Sequence, residues 1–196
     1  MRLRNTVAGL LLGACSMMVS AQASMGMQAK PAVSSMSPAK ALDDMLSMFE
    51  HETMGVVKTM PADKYDFAPS QEIFKTSQKV RFATVRTFGQ EASHIAQANY
   101  SLYSTLSGLK PDVDVKKIET LTKKDDIVAA LAGSFAFAHK AIATITPANA
   151  FEPIKGADGM HTRATLAAFG VAHGNDHYGQ MVEYLRMNGL VPPGSN

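Results

Sequence analysis

Apolar residues in this chain recur at steps of three and four over four long stretches, and no stretch sustains the two-residue alternation of a half-buried strand. Such spacing lays one greasy face along a helix, so the chain is expected to be all-α. The first helix begins where Ser37 can cap and Pro38 can take the first helical position. Leu42, Met45, Leu46, Phe49, Thr53, Val56 and Met60 then share a face until Pro61. Residues 61 to about 83 carry prolines and scattered polar groups and read as a long irregular crossover, which would let neighbouring helices run parallel. The second helix should start near Thr84, with Thr87-Phe88-Gly89-Gln90 as an alternative capping box. Its stripe is Phe88, Ala92, Ile95, Asn99, Leu102 and Leu106, closed by Gly108 and Pro111. The third is announced by Thr122 and Asp125 and continues through Ile127, Val128, Leu131, Phe135, Ala138, Ile142 and Ile145 to Pro147. The fourth runs from about Thr162 to Asn188, where Asn188-Gly189 and then Pro192-Pro193 stop it. The sum is a four-helix bundle with a long crossover between its first two helices.

One domain plus a tail accounts for 196 residues. Residues 1–23 read as a secretory signal: Arg2 and Arg4, an apolar run from Val7 to about Val19, then Ala21-Gln22-Ala23 as an A-x-A cleavage site. That run is too short to span a bilayer as a helix, so an exported, periplasmic or secreted protein with no transmembrane segment is expected. Leu12-Gly13-Ala14-Cys15 offers a competing reading as a lipobox, with the chain anchored through a lipidated Cys15. Cys15 is the single cysteine. A chain cleaved after Ala23 therefore has no disulfide, no thiol nucleophile and no thiolate ligand. Residues 24–37, rich in Ser, Met, Gly, Ala and Pro, suit a flexible linker, and 38–196 form the bundle domain. Once Arg2 and Arg4 are removed, basic and acidic residues are equal in number and no basic run remains. A phosphate backbone needs clustered Lys and Arg, so nucleic acid is not an expected partner.

The chemistry must come from other side chains. His173-Gly174-Asn175-Asp176-His177 places two imidazoles four apart on the last helix, one turn above each other. Their phase follows Leu166 and Gly170 and precedes Gln180 and Tyr184, so both occupy the seam where a bundle places leucine. Burying two imidazoles is costly unless each finds a partner, and one divalent cation can satisfy both. Gly170 and Gly174 thin the helix around them, which would leave room near the ring nitrogens. The third ligand is sought among His51, His94, His139 and, in the loop before the last helix, His161. His94 lies at the edge of an apolar stripe, one turn after Glu91, whose carboxylate could accept its other N–H. His139 sits between Phe135 and Ile142 without a polar neighbour to orient it, and it and His51 read as ordinary helix residues, His161 as an exposed loop residue. Met181 and Met187 read as core or surface packing, and Met25, Met27 and Met36 as part of the linker.

Val85-Arg86-Thr87-Phe88-Gly89-Gln90-Glu91-Ala92-Ser93-His94-Ile95-Ala96, with the later His173-x-x-x-His177-Tyr178-Gly179-Gln180 and Tyr184 to Pro193, resembles the DinB-like family of small metal-binding helical bundles. The likeness runs from about Leu42 to Ser195. It implies a four-helix bundle with a long crossover, and one divalent metal held by His94, His173 and His177, with zinc or nickel the expected ion. The family includes transferases and isomerases that use low-molecular-weight thiols. Its historical link with DNA damage describes expression, not DNA binding.

Two function classes follow. In a metal-dependent enzyme, three neutral imidazoles leave the ion its full charge and an open position, able to activate a water or an incoming thiol. That gives a hydrolase or a thiol-dependent transferase. Family resemblance favours the thiol, whereas the export leader favours water, because those thiols are cytosolic. The alternative is a non-catalytic metal-binding or structural module. The sequence names no small-molecule substrate and assigns no catalytic residue, and it leaves open whether the chain forms a homodimer.

Overall fold

The computed structural model describes residues 35–82, 84–155 and 159–194. The leader at 1–23, Cys15 and nearly all of the 24–37 linker lie outside them. Among the described residues the structure is helical, with no strand. The helices are α1 (Pro38–Thr59), α2 (Phe88–Ser107), a single turn α3 (Val115–Ile118), α4 (Lys124–Ile142) and α5 (Arg163–Met187).

Capping chemistry sets most of these limits. Ser37 accepts from the Lys40 N–H with Pro38 just inside the helix, and Thr162 forms a reciprocal box with Thr165. For α2 the box at Thr87 is the one used: its hydroxyl accepts from the Gln90 N–H while the Gln90 side chain accepts from the Thr87 N–H. Thr84 cannot be the cap, because its backbone is left-handed at φ 69° and a cap needs an extended residue. At the other end Gly108 takes φ 77° and closes α2 with a bond from its N–H to the Ser104 carbonyl. Helix α4 starts after Lys123, one residue later than the Thr122 signal suggests, with no side-chain cap; Asp125 and Asp126 complement the positive end of its dipole.

The expected stripes are buried or half-buried with one exception: Met45 of α1 is exposed, and Val57, outside the expected stripe, is buried instead. Helices α1 and α2 each pack against both α4 and α5, so α1 lies diagonally across from α2. Asp43 of α1 meets His139 of α4, while the Met60 carbonyl at the other end of α1 meets Lys124. These two helices are antiparallel. Gly89 faces Ile127, and Asn99 bonds Ser134, so α2 and α4 run parallel. The parallel neighbours are therefore joined through α3, and the long crossover joins diagonal, antiparallel helices instead. Because α1 ends where α2 begins, the crossover need not run the length of the bundle and covers its end. Tyr65 from it donates to the Val57 carbonyl and packs edge-on against Phe88, and Phe67 packs on Tyr184.

Candidate metal centre

Three histidines converge two turns below that covered end. His94 comes from the second turn of α2, and His173 and His177 from successive turns of α5. Their ring centroids are 5.3 Å (94–173), 4.5 Å (94–177) and 4.7 Å (173–177) apart. One ring nitrogen from each lies within 4.8 Å of the other two. The Nε2 atoms of His94 and His173 are 3.2 Å apart. Two imidazoles on one tetrahedral zinc, at ~2.05 Å each, would be separated by about 3.3 Å.

His177 supplies the sharper observation. It is 5% exposed, and its Nδ1 lies 2.6 Å from the Glu91 carboxylate, itself 1% exposed. Its Nε2 is buried with no hydrogen-bond partner. A buried polar atom left unsatisfied costs about 1–3 kcal/mol, and a cation at the focus of the three rings would remove that cost. The residues present thus fit a divalent ion. The carboxylate behind the ring is the partner that fixes the tautomer of a ligating histidine, with Nδ1 protonated and Nε2 free to bind. His94 is held neutral: burial, then the Arg86 guanidinium, then His177 and His173 push its pKa down to about 4, against the opposing pull of Glu91. A neutral imidazole offers the lone pair a metal needs.

Three local expectations change. Glu91 backs His177 and not its own-helix neighbour His94, because Glu91 and His94 are not equally inward: the carboxylate is 1% exposed while His94 is only half-buried. The space left by the two glycines is not kept for the ring nitrogens. A Cβ on Gly174 would stand 2.2 Å from Cζ of Phe49 in α1, and one on Gly170 2.9 Å from the Tyr103 hydroxyl in α2. Both glycines let aromatic rings press against the α5 backbone and seat the two histidines by close packing. Finally, His139 has polar neighbours: Nδ1 lies 2.5 Å from Asp43 and Nε2 2.9 Å from Glu50, both on α1.

His51 and His161 are exposed and take no part in the cluster. Asp176, between His173 and His177, is exposed, and Tyr178 and Gln180 are half-buried. Sequence reasoning missed the groups around His94: a cleft of about 170 Å³ is lined by Arg86, Gln90, Ser93, His94, Gln97 and Glu119. Arg86 precedes the cap of α2 and Glu119 lies far along the chain, so only the polar face at Gln90, Ser93 and Gln97 could have signalled it.

Fold and cluster together define an all-α bundle with a three-histidine site able to hold a divalent ion. The sequence profile of the DinB superfamily matches residues 45–181, well over half of the chain, and the chain belongs to that superfamily. Comparison with curated proteins finds no match. Among the described residues no helix is long and apolar enough to cross a membrane.

Proposed function

We propose that this chain is an exported metal-dependent hydrolase in which His94, His173 and His177 hold one divalent ion, zinc or nickel. The observation that carries the metal reading is the buried, partnerless Nε2 of His177 with Glu91 behind its ring. A divalent ion bound there supplies Lewis-acid chemistry, lowering the pKa of a coordinated water or thiol. The chain's own residues prepare that chemistry. Glu91 accepts the Nδ1 proton of His177 and holds the ring's orientation, and the surroundings of His94 keep it uncharged.

Two observations favour an enzyme over a closed structural site. His94 borders an open cleft, so one ligand is reachable from solvent. The cluster offers three ligands, the number found in catalytic zinc sites, where structural sites have four. The signal-like leader at 1–23 favours water over a cytosolic thiol as the nucleophile. Metal-loaded protein, with His177→Ala as the blank, can be screened on ester, amide and thioester substrates with and without added low-molecular-weight thiol. The reading predicts turnover above the blank without thiol. Turnover that appears only with thiol would make the protein a transferase, and rates equal to the blank throughout would leave a metal-binding module.

A further inference from the structure

The cleft beside His94 has a composition that selects its guest. Every side chain lining it is polar: Arg86, Gln90, Ser93, His94, Gln97 and Glu119. Ligand pockets are usually lined mainly by apolar groups, so this one disfavours acyl chains and aromatic rings. Its volume of about 170 Å³ restricts it to a small molecule. Two of the amides are already engaged: the Gln90 oxygen accepts the Thr87 N–H, and the Gln97 amide donates to the Val115 carbonyl.

Apart from the other ends of those amides and the His94 ring, the lining offers a cation, an anion and a hydroxyl. Among the described residues neither Arg86 nor Glu119 forms an ion pair, although both face the same small cleft. Ser93 is 4% exposed, and its hydroxyl finds no hydrogen-bond partner in the protein. A simple anion would meet the Glu119 carboxylate, and a simple cation would meet the Arg86 guanidinium. A molecule carrying both charges satisfies both walls.

We propose that this cleft is a subsite for a small amino-acid-type zwitterion, its carboxylate on Arg86 and its ammonium on Glu119. The planar guanidinium fork suits a carboxylate, which it can hold through two parallel N–H···O bonds. Ser93, next in sequence to His94, lines the same wall, with its buried hydroxyl unpartnered. The guest is thereby held beside one of the three clustered histidines. The proposal rests on the metal-centre reading for what happens to the guest, but not for its binding.

The test titrates L-alanine, propionate and ethylamine into isotope-labelled protein, both metal-loaded and metal-free, following backbone amide shifts along α2. L-Alanine should bind at least about tenfold more tightly than either half-molecule, since one charge-assisted contact accounts for roughly a tenfold change or more. Arg86→Gln and Glu119→Gln should each weaken it by about tenfold, and Glu119→Gln should leave metal uptake unchanged. If Arg86→Gln fails to fold, Glu119→Gln carries the same comparison from an exposed position. L-Alanine binding no tighter than propionate or ethylamine, or indifferent to the substitutions, would overturn the proposal. A protein that takes up no metal yet binds L-alanine in this way would remove the metal-centre reading and leave the zwitterion subsite standing.

Discussion

Glu91→Gln keeps the shape of a side chain that is 1% exposed and removes its charge. In the native protein the carboxylate accepts the Nδ1 proton of His177 at 2.6 Å. A glutamine oxygen can accept the same proton, but without the charge that makes the imidazole a stronger ligand. Losing such a partner lowers metal affinity by about 10- to 100-fold, or roughly 1.4–2.8 kcal/mol at 1.4 kcal/mol per tenfold. The metal-free protein should respond differently. There the change removes a buried carboxylate whose desolvation is unfavourable, so stability should stay within about 1 kcal/mol of wild type or rise, the hydrogen bond being retained. Affinity can be read by competition with a chromophoric chelator, and stability by denaturant unfolding in excess chelator. If Glu91 serves the fold alone, as half of a buried ion pair, the signs exchange: the metal-free variant loses about 3–5 kcal/mol and metal affinity stays within about twofold. That result would refute the assignment of Glu91 to the centre.

Other outcomes follow from the same contacts. Gly174→Ala would gain about 1 kcal/mol from helix propensity in open space, but its Cβ would stand 2.2 Å from Phe49. Overpacking should reverse the sign to a loss of about 1–3 kcal/mol, partly relieved by Phe49→Leu, measured by denaturant unfolding. His139 bonds a carboxylate at each ring nitrogen, which requires both to carry protons. Burial lowers its pKa, but Asp43 and Glu50 raise it more, leaving it above the ordinary 6.5. The stabilisation should therefore be complete below pH 6.5 and fade as pH rises through the raised folded value. His139→Gln should flatten that fading, by no more than about 1 kcal/mol because the partners are partly exposed, as seen in unfolding curves across pH. Intact-mass measurement of protein from its native cells should place the N-terminus at Ser24. A lipidated Cys15 would favour the anchored alternative, and a chain beginning at Met1 would reject both.

Helix identity and inward phase were legible because both are local. The stripe through Leu166, Gly170, His173, His177 and Tyr184 gives the seam of α5 from spacing alone, and Thr87 with Gln90 gives a cap from four consecutive residues. Rotation of one helix against another is not local. Glu91 could be paired with His94 by spacing, yet its partner is His177, 86 residues away. His139 looked unsupported because Asp43 and Glu50 lie 96 and 89 residues before it. The glycines advertised a close approach, but only the packed structure shows that aromatic rings, Phe49 and Tyr103, make it. The direction of the crossover escaped for a similar reason: a long connection permits parallel neighbours without requiring them.

The central claim is that His94, His173 and His177 hold a metal ion. Metal analysis of protein purified without a histidine tag tests it directly. The account predicts about one divalent ion per chain, lost in His173→Ala while helix content by circular dichroism is retained. Protein free of zinc, nickel, iron, cobalt and manganese, even after reloading with each, would contradict it.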